Sequence, residues 1–184
     1  MKGIVFREFL DMVEDEYSAD LVDDIIDDSV LPSGGAYTTV GTYDHAEMGK
    51  LVVALSKRTG ANVPDLLKAY GRHLFSRFFA GYPQFFEGIN ESFGFLSTIE
   101  SFIHVEVKKL YPDAELPAFE TLEMSPDYMR MIYRSPRCLG DFAEGLMEGC
   151  FEHYKDSVII SRQDEHEGRI VKFELKKAHQ ESFS

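Results

Sequence analysis

The chain has 184 residues, 44% hydrophobic and 13% aromatic, with 15 Phe, 9 Tyr and no Trp, a length and apolar load that fit one domain with its own core and exclude a disordered chain. Its 32 acidic and 19 basic residues leave a net charge of −13, which repels nucleic acid and anionic lipid, so neither is an expected partner. Two cysteines without a CxxC are too few for a disulfide scaffold, and there is no apolar run of about 18 residues and no signal-type segment in 1–10, so a soluble, cytoplasmic, reducing setting is expected.

Val5, Phe6, Phe9, Leu10 and Val13 fall at helical spacing and predict a first helix over about 2–15. Ser18 is a good N-cap for a second helix that buries Leu21, Val22, Ile25 and Ile26 and ends before Pro32 and Gly34-Gly35. The acid-rich stretch 11–28 reads as a solvated helix face. Asp44 with Glu47 resembles a capping box, Gly60 a C-terminal stop, and Pro64 the first turn of a helix reaching about residue 80. A further single helix is predicted over about 91–111, stopped by Pro112. Residues 119–125 and 128–135 then look extended around Pro126-Asp127, 138–154 return to helical periodicity, and 158–162 with 169–175 read as a hairpin. Helices followed by mixed strands make an α+β fold.

Six histidines are candidates for chemistry. His166 and His179 lie in polar segments and His45 in the first turn of a helix, all expected to be exposed. His104 interrupts the apolar run Phe102-Ile103-His104-Val105. Spacing alone leaves open whether it is a partly buried structural histidine or a ligand; a neutral imidazole is the usual protein ligand of haem iron. In the extended segment Tyr133-Arg134-Ser135-Pro136-Arg137, residues 133, 135 and 137 share a face and offer a phenol, a hydroxyl and a guanidinium. All three donate hydrogen bonds, and arginine grips carboxylates bidentately, so a dicarboxylate or phosphate fits, as does an incidental polar strand end. Cys138, Cys150 and His153 form a minor constellation: 150 and 153 share a helical face and could share a metal, but three ligands are an incomplete zinc set, and buried small side chains are the plainer reading. No Ser-His-Asp, HExxH, GxGxxG or P-loop pattern occurs.

His104 together with Tyr133-x-Ser135-x-Arg137 resembles the H-NOX family (haem nitric oxide/oxygen binding), which also supplies the haem domain of soluble guanylate cyclase. The resemblance spans nearly the whole chain: Met1-Lys2-Gly3-Ile4-Val5, Gly60-Ala61-Asn62-Val63, Gly71-Arg72, Glu100 to His104, Tyr133 to Arg137, and Glu144-Gly145-Leu146-Met147-Glu148-Gly149. It implies a single domain over 1–184, with a helical distal lobe (about 1–60) and a proximal α/β lobe of antiparallel strands and helices (61–184) clasping haem b. His104 would be the axial iron ligand, Tyr133, Ser135 and Arg137 the propionate holders, and Pro117 the proline that packs against the haem and helps distort it.

On the gas side, family members that bind O₂ stably use a distal tyrosine donor. Here Phe142 stands at the matching position, with Leu74 and Phe9 at two others that are polar or carry a donor in O₂ binders; Val5, Phe78 and Leu146 complete an apolar lining, and His73, beside Leu74, should face away. The resemblance therefore implies a sensor that binds NO and CO at ferrous haem and discriminates against O₂. NO would weaken the bond to His104, whose helix would then shift. A monomer without enzymatic activity is expected, acting in trans on a histidine kinase or a cyclic-di-GMP enzyme. An O₂-binding or redox sensor of the same fold, and a haem enzyme such as a peroxidase or NO dioxygenase, are the alternatives.

Overall fold

The computed structural model describes residues 1–178. Helices α1 (Gly3–Glu16), α2 (Ala19–Asp27), α3 (His45–Thr59) and α4 (Val63–Gly81) come first, then a 3-10 turn (Pro83–Phe86), α5 (Ser92–Ser97), a π turn (Ile99–Ile103) and α6 (His104–Leu110). Strands β1 (Ala118–Met124) and β2 (Tyr128–Arg134), helix α7 (Gly140–Tyr154), and strands β3 (Val158–Glu165) and β4 (Ile170–Lys177) complete the α+β fold.

The helix starts follow local chemistry. Ser18 Oγ accepts from the Leu21 amide at 3.2 Å and Asn62 Oδ1 from the Asp65 amide at 2.9 Å, each meeting one of the orphan donors of a helix N-terminus. Asp44 caps α3 through Ala46 N, at 2.9 Å. The expected reciprocal half of that capping box does not form. The Glu47 carboxylate turns inward instead, buried, and accepts the hydroxyls of Tyr37 (2.8 Å) and Ser33, tying the preceding loop onto α3. Burial pushes the Tyr37 phenol above its ordinary pKa, so it remains a donor.

The single helix expected over 91–111 is broken in two. Thr98 Oγ1 and Ser97 Oγ donate to the carbonyls of Phe95 and Gly94, both at 2.7 Å, and so occupy acceptors at the end of α5. Beyond them the ladder slips by one residue: the Thr98 carbonyl accepts from both Phe102 N and Ile103 N, at 2.8 and 3.1 Å, and the His104 amide reaches back to Ile99. A π turn of this kind inserts one residue and re-aims the side chains after it, His104 first among them. Helix α7 starts at Gly140, not at 138, because Cys138 adopts a left-handed φ of +53°. The last hairpin is longer than expected, since Glu165 still pairs with Ile170.

All strand pairs are antiparallel, in the order β1-β2-β4-β3. With side chains alternating across a strand, Met129, Met131 and Tyr133 of β2 and Val171, Phe173 and Leu175 of β4 present one buried face. Ala143, Met147, Cys150 and Phe151 of α7 join that face in one cluster with Phe75, Phe86 and Phe95; a second cluster, from Phe6 to Leu74, lies among α1 to α4. The change-over falls inside α4, between Leu74 and Phe75. Helices α4 and α7 cross with almost no side chain between them: a Cβ on Gly145 would stand 2.7 Å from the Cα of Lys68, and one on Gly71 2.6 Å from the amide nitrogen of Leu146.

Candidate functional site

A cavity of about 240 Å³ opens where α1, the α4–α7 crossing, the α5–α6 segment and the start of β1 meet. A single water needs only about 15 Å³ of such space, so there is room for a multi-ring ligand. Phe75, Phe86, Phe95, Ile99, Ile103 and Val107 make much of the wall, together with Val5, Leu74, Phe78, Phe142 and Leu146.

His104, at the head of α6, has its ring on that wall with its side chain 15% exposed. Its Nδ1 is 3.1 Å from Glu100 Oε1, and among the described residues nothing bonds its Nε2. Burial holds the His104 pKa below the ordinary value, with the Glu100 carboxylate pulling the other way. The imidazole is therefore neutral at physiological pH, the form that binds metal.

Tyr133, Ser135 and Arg137 also line the cavity. Only Tyr133 does so as a strand residue; β2 ends at Arg134, so the shared-face expectation is corrected for the other two, which sit in the following turn. Ser135 N donates to the Arg169 carbonyl at 2.9 Å, and Ser135 Oγ accepts the Arg137 amide at 3.2 Å, which folds the turn and brings the guanidinium in. Tyr133 OH accepts from Leu139 N at 3.2 Å, and burial raises its pKa, so the phenol keeps a proton to donate. Arg137 donates to the Glu115 carbonyl (2.8 Å) and carboxylate (3.1 Å). A carboxylate is thus already the chosen partner of this guanidinium, supplied by a side chain that is itself 88% exposed. A neutral imidazole and a three-donor carboxylate cradle facing one apolar cavity fit a haem with its propionates. Pro117, between α6 and β1, is on the same wall.

Phe9 is not on the wall, contrary to the expectation. It is fully buried one layer back, edge-on to Tyr70 with ring centroids 5.3 Å apart. Tyr70, which the sequence did not single out, stacks on Phe142 at 5.0 Å and donates its hydroxyl to the Val5 carbonyl. His73 is absent from the wall too; its Nε2 lies 3.6 Å from the Glu8 carboxylate, which Arg77 also holds, at 2.8 Å. His45 and His166 are exposed, and His179 lies outside the described residues. Cys138 is exposed and Cys150 buried, while His153 packs on Phe79 with centroids 4.0 Å apart. Among the described residues no three metal-type side chains come together, so Cys138, Cys150 and His153 do not form a site. The sequence assigns no role to Glu115, nor to Glu100, which stands one helical turn before His104.

The model of the family described as haem-NO-binding matches residues 2–162. Among solved structures, an unliganded Fe(II) H-NOX protein from K. algicida is 42% identical, with a TM-score of 0.92 and both chains covered in full. An H-NOX from Shewanella woodyi, solved in the Fe(II)CO ligation state with IWP-051 bound, is 38% identical, with a TM-score of 0.83, 100% of this chain and 99% of that one being covered. An S. oneidensis H-NOX in the Fe(II)NO state is 24% identical over 97% of this chain and 100% of its own, with a TM-score of 0.89, a likeness of fold alone. Among curated proteins none matches. The chain belongs to the haem-NO-binding, or H-NOX, family.

Proposed function

We propose that this chain is a sensor of NO and CO that holds haem b through His104 and discriminates against O₂. The observation that carries this reading is a neutral His104, its Nε2 without a hydrogen bond among the described residues, lining the same cavity as Tyr133, Ser135 and Arg137. When bound, the haem would supply a ferrous iron with a position open to a diatomic gas. His104 would hold its iron, and Tyr133, Ser135 and Arg137 would hold the propionates, Arg137 exchanging Glu115 for them. Pro117 would pack against the macrocycle. Two lobes, about 1–60 and 61–184, would clasp it as one domain, the first half of α4 also packing into the core of the first lobe.

Selectivity comes from the wall. Val5, Leu74, Phe78, Phe142 and Leu146 carry no donor, and the hydroxyl of nearby Tyr70 is spent on the Val5 carbonyl. O₂ gathers negative charge and gains from a donor; NO and CO gain little. One missing buried hydrogen bond costs about 1–3 kcal/mol, roughly 5- to 150-fold in O₂ affinity. The same wall, among the described residues, offers no acid–base pair beside Phe142 of the kind a peroxidase needs, which supports a sensor and not an enzyme.

His104 heads α6, whose Val105 and Leu110 are exposed. Holding or releasing the His104 ring would bias the position of α6, giving a partner two surfaces to distinguish. The partner is a signalling protein acting in trans in the cytoplasm, a histidine kinase or a cyclic-di-GMP enzyme, and the sensor is a monomer. The His104→Gly variant tests the assignment: it should take up haem only with added imidazole and lose NO-dependent output. Unaided uptake with an unchanged NO response would overturn it.

A further inference from the structure

We infer that Glu100 is the positioning residue of His104, a carboxylate that ties the imidazole to the edge of the sheet and fixes which ring nitrogen faces the cavity. The inference rests on the reading of His104 as the axial ligand and goes beyond it. Glu100 Oε1 meets two groups at once: His104 Nδ1 at 3.1 Å and the backbone amide of Phe119 at 2.6 Å. A backbone N–H can only donate, so Oε1 is the acceptor of the Phe119 amide, and the same oxygen faces the ring as an acceptor. Nδ1 must then carry the hydrogen. That is the tautomer a free histidine side chain disfavours, and it leaves Nε2 bare toward the cavity.

The Phe119 amide is available because β1 is an edge strand. It pairs with β2 on one side only, and amides pointing the other way have no ladder partner. Glu100 comes from the π turn that directly precedes His104, and Phe119 lies two residues after Pro117. One carboxylate thus links the turn that aims the ring to the strand that begins beside Pro117. A surface pair on a helix would need only the i,i+4 spacing of Glu100 and His104. The shared bond to Phe119 is what a positioning role requires and a surface pair does not. A carboxylate on the far nitrogen also raises the basicity of a ligating imidazole, so Glu100 would strengthen the hold of His104 on the iron.

The test begins without haem. In the apo-protein with ¹⁵N-labelled histidine at pH 7, His104 should show Nδ1 protonated and Nε2 bare. Glu100→Ala should return the ring to the tautomer of free histidine. Glu100→Gln, whose amide oxygen is kept in place by Phe119 N–H, should retain the wild-type tautomer. The same variants, loaded with ferrous haem, should lower the iron–histidine stretching frequency, Glu100→Gln included because it removes the charge. An unchanged tautomer in a folded Glu100→Ala would overturn the inference, as would a wild-type stretching frequency in both variants. A locked tautomer in the apo-protein with no iron–histidine band in the loaded wild type would instead overturn the axial-ligand reading and leave the lock standing.

Discussion

Gly145→Ala should destabilise the fold through the helix crossing that builds the cavity wall. A Cβ at Gly145 would stand 2.7 Å from the Cα and 2.8 Å from the carbonyl carbon of Lys68, and closer still to its oxygen. Comfortable carbon–carbon contact is about 3.5–4.0 Å, so α4 and α7 must separate by about 1 Å. The atoms met are backbone, with no rotamer to yield. Overpacking of this kind costs up to about 3 kcal/mol, and better helix propensity returns about 1, a net loss of roughly 2 kcal/mol. For a chain of this size that lowers Tm by roughly 4–8 °C. Gly49→Ala is the control: it lies in α3 with nothing within 4 Å of its Cβ position, so propensity alone acts and Tm rises by roughly 1–4 °C. Thermal unfolding of the two variants beside wild type measures both. Because Gly145 lies between Phe142 and Leu146, both on the wall, haem should also leave Gly145→Ala faster for an apomyoglobin acceptor. A Gly145→Ala variant that melts at or above wild type would refute the close-crossing argument.

Phe142→Tyr should bring a donor to the gas side and raise O₂ affinity roughly 5- to 150-fold, read from spectra under controlled O₂; an unchanged affinity would mean the phenol finds another acceptor. Arg137→Ala should speed haem loss to apomyoglobin, while Glu115→Gln, which frees the guanidinium, should slow it; equal rates in all three proteins would remove Arg137 from the cradle. Lys2, buried, donates to Val40 O, Thr42 Oγ1 and both oxygens of Asp113, at 2.6–3.1 Å. The bond from Lys2, then that from Thr42, holds the Asp113 carboxyl below its ordinary 3.8. A carboxyl depressed in the folded state stabilises above pH 3.8 and loses that contribution as pH falls through its folded value. The urea midpoint should therefore fall more steeply below pH 4 in wild type than in Asp113→Asn, and parallel profiles would sink the Lys2–Asp113 link.

Much of this was legible in the sequence because it is local. Ser18, Asp44, Pro64 and Gly60 mark helix ends by chemistry acting within a few residues, and turn residues between extended segments announce the strands. Tyr133, Ser135 and Arg137 are close together, so their donor character reads directly, although a turn and not a strand assembles them. What escaped depends on distant partners. Glu47 forms a buried acceptor only because Ser33 and Tyr37 fold back over it. Glu115 reaches Arg137, and Glu100 reaches Phe119, across the fold. The π turn is invisible to a periodicity search that assumes 3.6 residues per turn throughout. Phe9 shares the helical face of Val5, but spacing gives a face and not a depth, and Tyr70 fills the layer between.

His104 is proposed to hold a ferrous haem in a cavity whose gas side has no donor. The direct measurement is the anaerobic absorption spectrum of the reduced, haem-loaded protein, followed by NO, CO, and, on a fresh sample, air. A five-coordinate ferrous spectrum that changes with NO and with CO and gives no stable oxygen complex is expected. A stable oxygen complex, or a protein that takes up no haem, would contradict it.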